Sequence, residues 1–257
     1  MAESAAATTF HAPSDDDFDI RSNEYGTYAV PKAYHMRVLP KVLERGKVYE
    51  PKTIQYIRDS AADGDIVTGG AFIGDFLPAL SKAMAPGRLI HTFEPNPLCF
   101  EACRRTIALN QLENVRLNAV AVGHKPTKLP LRVEDFEKGE PAAAQSAINA
   151  RASASDAGYI EVDVKTIDDL VERGRKVTVI HLDIEGFERQ ALRGAVRIIR
   201  NQHPKLVVEG RRTTVEWLER VFPRAGYQMI GAWEKNQIFE AANPAVPRAR
   251  AGQSGKD

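Results

Sequence analysis

Apolar residues are unevenly spread along this chain. Between Asp65 and Glu240 they gather into short runs that alternate with longer amphipathic stretches. Short apolar runs read as buried strands and the amphipathic stretches as helices crossing between them, the pattern of a parallel sheet with helical crossovers. The predicted strands are Asp65 to Gly69, Arg88 to Glu94, Val115 to Val122, Val177 to Asp183 and Lys205 to Glu209. The predicted helices are Phe76 to Met84, Pro97 to Asn110, Phe187 to Arg200 and Thr214 to Arg220. Ahead of them, Val38, Leu39, Val42, Leu43, Ile54 and Ile57 recur near helical spacing, interrupted by Pro40 and Pro51, which predicts two short helices. An insertion, Gly123 to Arg175, separates the third and fourth core strands. Its "KLPLRV" and "YIEVDVKTI" resemble further strands, and the small polar stretch between them reads as a mobile loop.

Near the end, "YQMIGAWEKNQIFEA" predicts two strands joined by a polar turn at Glu234 to Asn236. That is an antiparallel hairpin closing an otherwise parallel sheet. Ordinary dinucleotide-binding domains keep their strands parallel to the end. The expected fold class is therefore α/β: a doubly wound, mostly parallel, seven-stranded Rossmann-like sheet with a C-terminal antiparallel hairpin. Four stretches follow. Residues 1–20 are an acidic arm, with Asp15, Asp16, Asp17 and Asp19 clustered where no apolar periodicity supports order. Residues 21–61 are a helical lead-in, 62–240 the main domain and 241–257 a flexible tail.

Composition narrows the partners. The chain has 257 residues, and 35 Lys and Arg stand against 34 Asp and Glu, a net +1. So balanced a charge argues against nucleic acid or an anionic membrane as the main partner, since both attract a basic footprint. The acidic arm offsets a more basic body and tail, so a weakly acidic glycan or lipid is less excluded than the total suggests. No run approaches the roughly 20 apolar residues that span a bilayer, and the opening residues lack the features of a secretory signal. The two cysteines, Cys99 and Cys103, share one predicted helix and suit neither a disulfide framework nor a metal finger. A cytoplasmic setting is expected, with no nucleic-acid partner, no transmembrane segment and no metal assigned.

The chemistry gathers at strand ends. "DIVTGGAFIGDF" puts Thr68, Gly69, Gly70, Ala71 and Gly74 in a strand-to-helix turn, where glycine permits positive φ and close approach of a ligand. The next strand ends in "HTFEPNP", so Glu94 can accept both hydroxyls of a ribose. In "VIHLDIEGFERQAL", strand alternation places His181 and Asp183 on one face, with Glu185 and Gly186 in the turn beyond. Asp183 there can anchor a cationic amine or take a proton from a hydroxyl, although acids before a helix also serve as N-caps. Glu209 ends the neighbouring strand; with Asp183 it can flank a reacting hydroxyl or hold Mg²⁺, or it can pair with Arg211 or Arg212.

Three of these motifs, "TGGAFIGDF", "FEPNP" and "HLDIEGFE", in this order and spacing, resemble the FkbM-type family of S-adenosylmethionine-dependent methyltransferases. The resemblance runs over roughly residues 62 to 212. It implies the methyltransferase variant of the doubly wound fold, S-adenosylmethionine as cofactor, and O-methylation of a hydroxyl on a sugar, glycan or glycolipid. By position, Gly70, Ala71 and Gly74, in the turn with Thr68 and Gly69, would line the methionine and ribose of the cofactor. Glu94 would bind the ribose with Pro95 and Asn96 nearby, and Asp183 and Glu185 would face cofactor or acceptor. Asp183 is the first choice of base, with Glu209 and His181 in reserve. The family's usual D-V-G-A-N-I-G is altered: Thr68 stands for the acid and Phe72 for the asparagine, which leaves Asp75 or Asp183 to support the cofactor in the acid's place. Two other readings share these residues: a catalytically degenerate cofactor-binding interaction module and an NAD-dependent oxidoreductase.

Overall fold

The computed structural model describes residues 13–135, 140–141, 148–149, 151–210 and 212–243. A 3-10 turn (Asp15–Asp17) leads into a hairpin of β1 (Phe18–Ser22) and β2 (Thr27–Pro31), then α1 (Val38–Glu44) and α2 (Pro51–Ala61). The main run is β3 (Asp65–Gly69), α3 (Leu77–Ser81), β4 (Ile90–Phe93), α4 (Pro97–Leu109) and β5 (Val115–Asn118). The insertion supplies β6 (Ala121–Val122), β7 (Thr127–Arg132), the short β8 (Glu134–Asp135) and β9 (Glu140–Pro141), β10 (Tyr159–Lys165) and α5 (Ile167–Leu170). The chain then builds β11 (Val177–Leu182), α6 (Glu188–Arg193), α7 (Val196–Gln202), β12 (Lys205–Glu209), α8 (Val215–Val221), β13 (Tyr227–Trp233) and β14 (Asn236–Ala241).

Seven strands form one sheet in the order β13-β14-β12-β11-β3-β4-β5, with β14 antiparallel to both neighbours. The strand order reverses between β3 and β11, the switch point where open α/β sheets leave a crevice at their carboxyl edge. Strands β6, β10 and β7 make a second, smaller sheet. Alternation along each central strand feeds two cores. Val67, Ile180, Leu206 and Val208 pack against α6, α7 and α8, whereas Ile66, Val179 and Val207 pack with Ile57 of α2, Leu80 of α3 and Cys103 of α4. Both cysteines are buried and free. Among the described residues no helix is long and apolar enough to cross a membrane.

The structure corrects several expectations. Phe18 to Ile20, placed in a disordered arm, form most of β1, and the lead-in opens on a hairpin before its helices. Distant partners hold this segment: the Arg105 guanidinium lies 4.4 Å from the Phe18 ring centroid and 2.6 Å from Asp15. The hairpin lies on α4, where Ala29 donates to the Thr106 hydroxyl and Thr27 to the Asn110 side chain. No local periodicity encodes such contacts. Pro40 and Pro51 fall in the first turns of α1 and α2, where an amide hydrogen has no helical partner, so they begin helices rather than interrupt them. The helix expected over Phe187 to Arg200 breaks at Gly194, where a Cβ would sit 2.0 Å from the Gly123 carbonyl oxygen. Val115 to Val122 splits into β5 and β6, which join different sheets. Residues 1–12 of the expected arm, 244–257 of the expected tail and most of the expected loop in the insertion lie outside the described residues.

At the amino edge of the sheet, the fully buried Asp65 is clamped by three partners. Arg175 binds it with two nitrogens, His91 Nε2 lies 2.9 Å away and the Leu89 amide 3.0 Å. Burial alone would raise this carboxyl, but the Arg175, His91 and Leu89 bonds together hold it well below the usual range. Removing one member of a buried pair strands the other, so Asp65→Asn should cost about 3 to 5 kcal/mol in urea unfolding. A carboxyl lowered on folding stabilises above its unfolded value, about pH 4, and loses that contribution as the pH falls through the folded one. The difference between wild type and variant should therefore stay constant from neutral pH to about pH 5 and shrink only in stronger acid.

Candidate active site

A cavity of about 270 Å³ opens at the carboxyl edge of β3, β4 and β11. Its floor begins with the turn after β3. Gly70 (φ +79°), Phe72 (φ +46°) and Gly74 (φ +78°) all adopt the left-handed region. A Cβ on Gly70 would lie 1.8 Å from the Asp183 carbonyl oxygen, so glycine is required there by the neighbouring strand rather than by a ligand. Phe72 adopts a conformation that asparagine tolerates better than a bulky residue. Two contacts hold it: its amide donates to Glu94 Oε2 at 2.8 Å, and its ring lies 5.7 Å from that of Tyr34.

Glu94 follows β4, buried, with its second oxygen accepting from the Asn96 amide at 2.9 Å. Burial pushes its carboxyl up to about 7 against the pull of these two amides. Asp75, also on the cavity, is likewise pushed by burial to about 7. Asn96 caps α4, its side chain accepting from the amides of Leu98 and Cys99.

On the β11 side, His181 pairs in register with Thr68 of β3, and its Nδ1 lies 2.9 Å from the Thr68 hydroxyl. The imidazole stacks on Phe76 at 5.2 Å and 11°, while its Nε2 is buried without a partner. Burial pulls His181 down to about 4, so the ring is neutral at physiological pH. Beyond it, oxygens of Asp183, Glu185 and Glu209 lie within 4.8 Å of one another. Burial first, then the hydrogen bond and charge of Glu209, push Asp183 well above the usual carboxylate range. Glu185 (φ +52°) and Gly186 (φ +93°) make the turn after β11, which Glu188 ties down by accepting from the amides of Gly186 and Ile184.

A cation reaches this acidic cluster from the far edge of the sheet. Lys235, in the turn between β13 and β14, lies 3.7 Å from Glu209. Burial opposes its charge, but Tyr49 and Glu209 hold it above the ordinary lysine value. The turn is anchored by Glu234, which accepts from the amides of Lys52 and Thr53 and from the Thr53 hydroxyl at the start of α2, where the helix dipole favours an anion. Glu50, also on the cavity, accepts from the Asn236 side chain at 2.8 Å. Of the predicted pairings for Glu209, Arg212 donates instead to the Gly186 carbonyl, and Arg211 lies outside the described residues.

The structure thus brings Thr68, Gly70, Ala71, Gly74, Glu94, Pro95, His181, Asp183, Glu185 and Glu209 to one cavity and leaves Gly69 and Asn96 off its lining. Asp75, the expected support for the cofactor, lines it too, and so do Glu50, Phe76 and Lys235, which escaped the assignment of site residues. Phe76 was within reach, following the glycine turn. Glu50 and Lys235 carried no signal, because only tertiary packing brings them there.

The family model described as "Methyltransferase FkbM domain" matches residues 66–229, more than half of the chain. The protein belongs to this family. No curated protein matches its sequence. Solved structures similar to it include a methyltransferase FkbM from Methylobacillus flagellatus, at 21% identity over 80% of this chain and 52% of that one, with a TM-score of 0.49. This chain therefore spans about half the length of that relative. A SAM-dependent methyltransferase from Aquifex aeolicus matches at 12% identity over 81% and 96% of the two chains, with a TM-score of 0.42. A Pyrococcus abyssi tRNA (uracil-54, C5)-methyltransferase in complex with S-adenosyl-L-homocysteine matches at 10% identity over 87% and 44%, with a TM-score of 0.44. Membership in a methyltransferase family favours S-adenosylmethionine over the nicotinamide reading.

The Gly70 contact is testable with an internal control. Gly87 has a similar φ of +75°, but a Cβ added there would meet nothing within 4 Å. Gly87→Ala should cost about 1 kcal/mol, the backbone strain alone. Gly70→Ala adds a collision with backbone and should cost at least about 3 kcal/mol in thermal or urea unfolding.

Proposed function

We propose that the protein transfers the methyl group of S-adenosylmethionine to a hydroxyl oxygen of a sugar, glycan or glycolipid. The observation that carries this reading is the Asp183–Glu209 carboxyl pair at neighbouring strand ends on the cavity. Bound there, the cofactor supplies a sulfonium methyl that is already a strong electrophile. The chain's own task is to hold an acceptor oxygen in line and to remove its proton as the bond forms. Burial and the neighbouring Glu209 favour the protonated form of Asp183, Lys235 lies 3.7 Å from Glu209, and the pair in its ionised form can take the proton of the hydroxyl.

The residues present suit the cofactor. Glu94 keeps lone pairs free beyond its two amide bonds, as ribose hydroxyls require. The acidic lining favours a cationic sulfonium and amine. It also disfavours a phosphorylated or carboxylated acceptor, which leaves neutral polyols as the class that the carboxylates of Glu50, Glu185 and Glu209 can receive. A family acceptor is a hydroxyl, and the resemblance supports a sugar.

Radiolabelled methyl transfer to cell-extract fractions and purified glycans is the direct test. Wild type should label a hydroxyl-bearing acceptor, and Asp183→Asn should lower the rate about 10²- to 10⁴-fold, the usual share of a general base. If wild type binds S-adenosylhomocysteine yet labels no fraction, the interaction-module reading, suggested by Thr68 and Phe72, replaces this one. A rate lost on chelation and restored by Mg²⁺ would move the three carboxylates from proton transfer to cation binding.

Glu94 offers a second test. Ribose hydroxyls donate to the ionised carboxylate, so affinity for S-adenosylhomocysteine should be level above about pH 7 and weaken below it, approaching tenfold per pH unit. Glu94→Gln should weaken binding by about 1 to 3 kcal/mol at neutral pH and flatten that dependence in calorimetric titration.

A further inference from the structure

One row of the central sheet is polar where its surroundings are apolar. Thr92 of β4, Thr68 of β3 and His181 of β11 stand in register on adjacent strands. They share the face of Ile66, Val179 and Val207, whose side chains pack in a core. All three are buried, with exposures of 0%, 4% and 4%, and all three line the cavity. The row satisfies itself with one hydrogen bond, between Thr68 and His181. That leaves His181 Nε2 and Thr92 Oγ1 buried with no partner. An unpaired buried polar atom costs about 1 to 3 kcal/mol, so two of them on a cavity wall call for a polar group from outside the chain.

The chemistry of that group follows from what faces the row. The imidazole is immobilised, with Thr68 on its Nδ1 and the Phe76 ring stacked on its plane. Its one free position is Nε2, and its ring is neutral because burial disfavours the cation and no carboxylate is bonded to it. The Thr68 hydroxyl can accept from Nδ1–H or donate to Nδ1; a cationic ligand selects the first tautomer, in which the Nε2 lone pair faces the cavity as a hydrogen-bond acceptor. The Thr92 hydroxyl oxygen is a second acceptor. Carboxyl groups of Glu50, Asp75 and Asp183 share the cavity; burial favours their protonated forms, and an ammonium bound beside them would draw them toward ionisation where an anion would not.

We infer that the Thr92–Thr68–His181 row is the seat of the α-amino group at the amino-acid end of the cofactor, with His181 Nε2 accepting a hydrogen bond from that ammonium. Thr68 is the positioning residue: its hydroxyl holds the orientation of the ring without touching the ligand. The assignment rests on the cofactor reading proposed above. It gives His181 a binding task and leaves proton removal from the acceptor to Asp183 and Glu209.

Calorimetric titration of the full chain with two ligands separates this from a structural role. S-adenosylhomocysteine carries the amino-acid end, and 5′-methylthioadenosine keeps the nucleoside but lacks it. His181→Phe preserves a ring to stack on Phe76, and Thr68→Val preserves shape while removing the hydroxyl. His181→Phe should weaken S-adenosylhomocysteine binding roughly 10- to 100-fold and leave 5′-methylthioadenosine within about twofold of wild type. Thr68→Val, freeing the ring, should weaken the first ligand by a smaller factor and spare the second. A third ligand, decarboxylated S-adenosylhomocysteine, retains the amine and should show the same loss in His181→Phe. Equal weakening of all ligands, or no loss for S-adenosylhomocysteine in either variant, would overturn the assignment while leaving the cofactor site standing. Wild type binding none of the three would overturn the cofactor reading and this assignment together.

Discussion

Everything at the carboxyl edge depends on how closely β3 and β11 can end side by side. Gly70 has no side chain, and the place a Cβ would occupy is filled by the Asp183 carbonyl. That approach closes the floor of the crevice at the topological switch point. It puts the turn bearing Phe72 and Gly74 beside the turn bearing Glu185 and Gly186, and it aligns Thr68 with His181. A side chain there would part the strand ends by more than a hydrogen bond can follow. The glycine-rich turn is therefore first a device of strand packing, and the cavity is its consequence.

Two further ties set the walls. Glu94 reaches back to the Phe72 amide and forward to the Asn96 amide, so one carboxylate links the first turn to the start of α4. At the opposite end, Glu234 binds the amino terminus of α2 and so delivers Lys235 to Glu209. The antiparallel hairpin thus does more than finish the sheet: it supplies a cation to the acidic cluster. The polar groups of the site come from the ends of β3, β4, β11 and β12, from the β13–β14 turn and from the residue before α2. That enclosure buries the carboxyls of Asp75, Glu94 and Asp183, and burial, joined at Asp183 by the hydrogen bond and charge of Glu209, raises them above isolated carboxyls.

The altered first motif finds a physical account in these contacts. Where the family pattern has an acid, Thr68 bonds to a neutral histidine on the adjacent strand, so the row stays polar without a buried charge. Where the pattern has asparagine, Phe72 keeps the left-handed backbone and gains a ring contact with Tyr34. Backbone strain at Phe72 is offset by an amide bond to Glu94 and by its ring contacts, so the turn retains its shape.

The sequence by itself determined the central sheet, its hairpin and the strand ends on which the chemistry sits. Those features are local: apolar runs define β3, β4, β11 and β12, and glycines and acids at their tips follow from residue order alone. Thr68, Glu94, Asp183 and Glu209 were legible for that reason. Tertiary structure alone decided the rest. It drew residues near the amino end into a hairpin through Arg105, broke the helix after Asp183 at Gly194, kept Gly69 and Asn96 off the cavity, and brought Glu50 and Lys235 onto it. It also decided protonation, since the carboxyls of Asp75, Glu94 and Asp183 and the imidazole of His181 take their character from burial and from partners distant in sequence. Periodicity reports which face of an element is apolar; it carries no information about which remote side chain will remove the water from a charge.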